Sequence, residues 1–183
     1  LNLLRDKLGV ITGASAGIGR AAAMLYSQHG ARVVVAARRE RELSDVVEQI
    51  SCAGGEACLV AGDVRDGGHH KRVVDEALNR FGSLNIAFNN AGSLGEMGPA
   101  ASISLQGWTN TLETNLTGAF IAAKHQLPAI ESSGGGSMIF TSTFVGHALG
   151  FPGMAAYAAA KAGLVGLMRL LAVEYAARGD RVN

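Results

Sequence analysis

Residues 8–19 read LGVITGASAGIG, and few folds accommodate that order. Leu8, Val10 and Ile11 form a short apolar run that closes on Thr12, and glycines follow at 13, 17 and 19. A buried strand turning sharply into a helix needs this succession of residue types. Gly13 allows the tight turn, Gly17 has no Cβ to hold off a group approaching the backbone, and Gly19 lets the helix start pack closely on the sheet. The first helical amides and the helix dipole then face an anion such as a pyrophosphate. The same turn also suits a strand–helix junction that binds nothing. Glycine is 25 of the 183 residues, so three at this spacing arise by chance in about one of two such chains. The rest of the chain decides.

A chain of 183 residues suits one domain, residues 1–183, with a core large enough to fold unaided. Apolar residues are 48% and charged ones 17%, which suits a sheet covered on both faces. The net charge of +1, with basic residues spread along the chain, points to neither nucleic acid nor an anionic membrane. No apolar run reaches the roughly 18 to 20 residues of a membrane span. The opening LNLLRDKLGV has no long apolar core of a secretory signal. Cys52 and Cys58 have no nearby partners that would make a zinc site or a disulfide scaffold, so no metal and a reduced, cytoplasmic setting are expected.

Strand and helix signals alternate along the whole length. Strands are predicted at 8–12, 32–37, 57–61, 83–88 and 137–141, with a sixth starting at Arg181. Helices are predicted at 20–29, 40–50, 69–81, about 105–130 and 157–177, the second with Leu43, Val46, Val47 and Ile50 on one face. Such alternation means right-handed crossovers and a doubly wound parallel α/β sheet of Rossmann type. The predicted strand order is 3-2-1-4-5 with a stub of strand 6, and a ligand belongs at the carboxyl ends between strands 1 and 4.

Tyr157 and Lys161 stand four apart on a predicted helix and share one face. With three tyrosines and four lysines, this pairing arises by chance in roughly 7 of 100 such chains. An ordinary tyrosine exchanges protons poorly at neutral pH. A lysine charge about 4 Å away stabilises a phenolate by on the order of 4 kcal/mol at an effective dielectric near 20, which makes tyrosine a working acid or base. A tyrosine packed at a helix start beside a solvated lysine is the plainer use of the pair.

Thr12-Gly13-x-x-x-Gly17-Ile18-Gly19, Asn89-Asn90-Ala91-Gly92, Asn115 and Tyr157-x-x-x-Lys161 together resemble the short-chain dehydrogenase/reductases, in order and spacing, over essentially the whole chain. Ala16 followed by Gly17 resembles the single-domain branch. The resemblance implies hydride transfer between a nicotinamide and a small-molecule carbonyl or alcohol, without a metal. It implies that Tyr157 protonates the carbonyl oxygen, that Lys161 assists it and holds the nicotinamide ribose, and that Asn115 holds a water linking Lys161 to solvent. Gly13, Ser15, Ala16, Gly17, Ile18, Gly19, Asn90, Ala91 and Gly92 would line the cofactor cleft, with Asp63 and Val64 at the adenine. A homo-oligomer, dimer or tetramer, is expected of the full-length form.

The chain departs from the family at the serine. The stretch reads Thr141-Ser142-Thr143-Phe144-Val145-Gly146, and counting back from Gly146 puts Thr143 at the usual catalytic position. Threonine offers the same hydroxyl with a stiffer χ1; Ser142 serves only after a backbone shift. The end of strand 2 lacks the acid that accepts from a ribose 2′-hydroxyl and has Arg38 and Arg39 instead. Two guanidinium forks suit a 2′-phosphate, so NADP(H) is expected ahead of NAD(H); a solvated basic turn is the other reading.

His69 and His70 are expected at a solvated helix start. His147 either lines the expected substrate pocket or is an ordinary loop histidine. Phe144, Leu149, Phe151 and Met154 flank the same region and suggest an apolar pocket, with core packing expected for at least half of them. The expected function is an NADP(H)-dependent carbonyl reductase or alcohol dehydrogenase. The rival is a catalytically weak or inactive dinucleotide-binding sensor or partner subunit. Members of this branch continue past Arg-Val-Asn, so the sequence is expected to be truncated at its C-terminal end, by roughly 60 to 80 residues for a domain of usual size.

Overall fold

The computed structural model describes residues 2–183. Strands β1 (Leu8–Thr12), β2 (Arg32–Ala37), β3 (Ala57–Ala61), β4 (Ile86–Asn89), β5 (Ser137–Phe140) and β6 (Arg181–Val182) form one sheet in the order β3-β2-β1-β4-β5-β6. All pairings are parallel. The predicted order is therefore right, and the sixth strand pairs with β5 through Ser137–Arg181 and Met138–Val182.

Helices α1 (Gly17–Gln28) and α2 (Glu40–Cys52) cover one face, and α3 (Gly67–Phe81), α5 (Gly118–Ser132) and α6 (Ala155–Ala176) the other. Helix α4 (Leu105–Leu112) leads through a π-turn at Glu113–Thr117 into α5 and packs against α6. The core divides along the strand pleat. Ile11, Val33 and Val35 pack towards Leu43, Val46 and Ile50 of α2, whereas Val10, Val34 and Ala36 pack towards Val73 and Ala77 of α3. Strands buried on both faces read as continuous apolar runs, which is why β1, β2 and β3 have their predicted bounds.

Helix starts differ more. Helix α1 begins at Gly17 and α3 at Gly67, earlier than predicted, because a glycine in a first turn reads as a breaker. Asp66 caps α3 by accepting from the amides of Gly68 and His69. The histidine expectation fails: His69 and His70 are buried, at 0% and 1% exposure. They lie one turn before Val73 and Val74, on the face that α3 turns to the core. Helix α6, with 22 residues and a mean hydropathy of 1.4 over its most apolar window, is long and apolar enough to cross a membrane by those two measures. Lys161 and Arg169 interrupt its apolar run, so the sequence shows no unbroken stretch of that length. In the fold, Leu164 and Leu171 of α6 join the core.

Candidate active site

The chain winds one way from β1 to β3 and the other way from β4 to β6, so a crevice opens where β1 and β4 meet. A cleft of about 400 Å³ lies there, lined by Gly13, Ser15, Ala16 and Gly17 after β1, Arg38 and Arg39 after β2, Asp63 and Val64 after β3, and Asn90, Ala91 and Gly92 after β4. Ala37, Gly62, Ser93 and Thr114 also line it. Ser93 and Thr114 directly adjoin Gly92 and Asn115 in sequence, which was the available signal for them.

Its floor is stitched by two side chains. Thr12 Oγ1 accepts from the amides of Asn90 (3.0 Å) and Ala91 (3.1 Å). Asn90 Nδ2 donates to the Thr12 carbonyl, and Asn90 Oδ1 accepts from Thr141 Oγ1 at 3.0 Å. Three strand ends are thereby locked together, with both ends of the Asn90 amide engaged in doing so. Gly19 does not face the cleft: a Cβ there would run into the Gly13 carbonyl and Asn90. Ile18 is 64% exposed at the helix start.

The donor set fits a dinucleotide. Ala16 precedes α1 without a side-chain cap, and no acid stands in the first turn, so the leading amides remain available to an anion. A Cβ on Gly17 would meet nothing within 4 Å, leaving open space against those amides. Arg39 donates to Ser15 Oγ at 2.9 Å and pairs with Glu42 at 3.4 Å. Arg38 is exposed and makes no hydrogen bond or ion pair among the described residues. Asp63 is bound by Arg65 through contacts of 2.8 to 3.2 Å, which lower its pKa to about 2. Its carboxylate is therefore charged and already committed to Arg65.

Tyr157 and Lys161 lie on consecutive turns of α6, with Lys161 Nζ 5.9 Å from the Tyr157 ring centroid. Lys161 is only 4% exposed. Its Nζ donates to the Thr141 carbonyl, and burial lowers its pKa to about 8. Gly92 approaches closely enough that a Cβ would stand 3.6 Å from that nitrogen.

Asn115, in the π-turn, is 1% exposed. Its amide clamps Ser93, accepting from Ser93 N at 3.1 Å and donating to Ser93 O at 2.8 Å, and it also donates to Thr111 O. The side chain thus fixes the loop after β4 beside Lys161.

After β5 the chain crosses the start of α6. Gly146, at φ +89°, lies so close to Ala158 that any Cβ would strike its carbonyl. This contact sets the backbone at Gly146 against Ala158, the residue after Tyr157 on α6. Thr143 Oγ1 accepts from Val145 N at 3.3 Å, which leaves its own proton to donate; Ser142 is exposed. Phe144, Leu149 and Phe151 are 58%, 53% and 55% exposed, not core as expected. Leu94 and Met97 are exposed on the facing loop, which a Gly98–Gly153 backbone hydrogen bond of 3.0 Å joins to theirs. Among the described residues no cluster of potential metal ligands occurs.

A doubly wound sheet, an uncapped glycine turn at its switch point and a tyrosine–lysine pair beside it define a nicotinamide-dependent oxidoreductase class. The pattern of the short chain dehydrogenase family matches residues 7–183. Cyclohexanol dehydrogenase of Acinetobacter sp. (strain SE19) is 36% identical over 182 residues, all of this chain and 72% of that protein. Cis-4-hydroxycyclohexanecarboxylate dehydrogenase of Sinomonas cyclohexanicum is 36% identical over 178 residues, 97% of this chain and 71% of that protein. The crystal structure of a 3-ketoacyl-ACP reductase from Sinorhizobium meliloti 1021 superposes with a TM-score of 0.93 at 34% identity, covering 96% of this chain and 69% of that one. The chain belongs to the short-chain dehydrogenase/reductase family, whose members are oxidoreductases of alcohols and ketones that bind NAD(P)(H).

Proposed function

We propose that the protein interconverts an apolar, ring-borne secondary alcohol and its ketone with NADP(H) in preference to NAD(H). Arg38 carries the cofactor choice. It stands just past the end of β2, in the cleft, with no hydrogen bond or ion pair among the described residues and with no acid in its place. A guanidinium there matches a 2′-phosphate in charge and geometry, and Ser15 with Arg39 adds a hydroxyl and a second fork at 2.9 Å from each other.

The bound dinucleotide supplies or accepts the hydride. In the reducing direction Tyr157 donates its proton to the carbonyl oxygen, and Thr143 donates a hydrogen bond to that same oxygen. Lys161, held by Thr141, places a positive charge beside the phenolate that forms. Asn115 and Gly92 hold the loop after β4 against Lys161.

The substrate class rests on two supports. Phe144, Leu149, Phe151, Leu94 and Met97 are exposed on two loops that the Gly98–Gly153 bond joins, and we read them as the apolar mouth of the substrate site. Two relatives are named for alcohols borne on six-membered rings. The test is oxidation of a panel of cyclic and linear secondary alcohols with NADP⁺ and NAD⁺, repeated with Tyr157→Phe. Cyclic alcohols with NADP⁺ should be favoured, and the variant should lose about 10²- to 10⁴-fold in turnover while binding cofactor normally. Near-normal turnover by Tyr157→Phe overturns the acid assignment, and no preference for rings overturns the substrate class.

A further inference from the structure

Behind Lys161 lies a second and much smaller space. It measures about 10 Å³, the room one water molecule needs. Lys161, Asn115, Thr12 and His70 border it, along with Gly118 and Ala122 of α5. The small α5 residues leave the gap open, and His70 reaches it from α3.

His70 is 1% exposed. Its Nε2 lies 2.8 Å from the Val64 carbonyl, which can only accept, so Nε2 carries the proton. In the neutral ring Nδ1 then holds the lone pair. Nδ1 has no partner among the described residues, an uncommon state for a buried acceptor. Gly118 secures this geometry, since a Cβ there would stand 2.8 Å from the same Val64 oxygen. On the opposite side, Lys161 has three N–H donors and uses one on Thr141.

We propose that His70 builds a water site in this cavity and is a positioning residue for Lys161. The water donates to Nδ1 and its oxygen accepts from the Lys161 ammonium. No proton changes owner; the charged form of the lysine gains an acceptor in addition to Thr141. This inference rests on the reading of Lys161 as the cation beside Tyr157. The titratable neighbours of His70 are His69, at a ring distance of 5.6 Å, and Asp66 on its own helix, with His125 on α5. Burial, with His125, holds the His70 ring below its ordinary pKa, so Nδ1 is an acceptor at neutral pH.

Two substitutions separate the roles of the two ring nitrogens. His70→Gln keeps a donor for Val64 at the Nε2 position and removes the acceptor at Nδ1. His70→Asn keeps an acceptor at the Nδ1 position and gives up the Val64 bond. The readout is the titration of Lys161 by NMR in ¹³C-lysine-labelled protein without cofactor, its signal assigned by loss in Lys161→Met. His70→Gln should move the Lys161 midpoint down by about half to one pH unit, since one hydrogen bond to the charged form is lost. His70→Asn should move it less. An unmoved midpoint in His70→Gln, or a displacement in His70→Asn as large as in His70→Gln, overturns the proposal. A high-resolution crystal structure of the unsubstituted chain is independent of both variants. An ordered water within hydrogen-bond reach of Nδ1 supports the proposal, and a dry cavity overturns it. None of these measurements reads turnover, so their failure is distinct from failure of the proposed activity.

Discussion

Lys161 Nζ donates to the main-chain oxygen of Thr141 across 2.5 Å and so ties α6 to the end of β5. No ion pair with Lys161 occurs among the described residues, and desolvation is what lowers its pKa to about 8. A buried cation held by one carbonyl is a stability cost.

That cost sets a pH signature. Below pH 8 both folded and unfolded chains carry the lysine proton, and the burial penalty is present in full. Between pH 8 and the unfolded value of 10.5 the unfolded chain binds more protons, so stability rises with pH by up to about 3 kcal/mol. Lys161→Met should be more stable than the parent at pH 7, by about 1 kcal/mol after loss of the Thr141 bond. The gap between the two should close or reverse towards pH 10. Urea unfolding at several pH values reads it, and a gap that does not change with pH refutes it.

Among the described residues Arg38 makes no hydrogen bond or ion pair, whereas Arg39 already engages Ser15 and Glu42. Arg38→Ala should therefore weaken NADPH far more than NADH, by about 1.5 to 3 kcal/mol, the size of a charge-assisted hydrogen bond. Fluorescence titration with each cofactor measures it. Arg39→Ala should lose less, because its charge is partly neutralised by Glu42. Equal losses for the two cofactors in Arg38→Ala would remove the basis for an NADP(H) preference.

On the proposed mechanism Thr143, rather than Ser142, holds the substrate oxygen; its hydroxyl accepts from Val145 N and keeps its own proton to donate. Thr143→Val keeps the branched shape and deletes the donor, and should cost about 10-fold or more in kcat, as for one lost hydrogen bond in the transition state. Ser142→Ala should cost less. Steady-state kinetics decide, and the reverse ranking moves the role to Ser142.

Much of this arrangement was legible from residue types. Continuous apolar runs marked β1, β2 and β3 to the residue, and the glycine turn with the 157–161 spacing located the switch point and the helix beside it. What escaped the sequence depends on register and distant partners. The π-turn at Glu113–Thr117 has no residue signature, so Asn115 gave no hint that its amide would clamp Ser93, 22 positions earlier. Burial of His69 and His70 was readable in principle. They extend the Val73, Val74 and Ala77 stripe back by one turn, a periodicity that their polar type masked. The exposed aromatic side chains of the loop after β5 were the opposite error: apolar type suggested core, and no described element covers them.

The buried histidine that the cavity does not involve makes its own prediction. His69 is wholly buried, both ring nitrogens lack partners among the described residues, and its ring sits against Gly62. Desolvation, with the charges of His70 and Arg72, lowers its pKa to about 4. Above pH 6.5 the ring is neutral in both folded and unfolded chains and adds no pH dependence. Between pH 6.5 and 4 the unfolded chain takes up a proton that the folded one refuses, so stability falls with pH across that window, by up to about 3 kcal/mol. His69→Leu removes this titration while filling most of the same space. Its unfolding free energy should stay within about 1 kcal/mol of the parent at pH 7, and should decline less steeply as pH falls from 6.5 to 4. Urea melts at half-unit pH steps measure both slopes. If the two proteins lose stability in parallel through that range, His69 is not the group that makes the fold sensitive to acid.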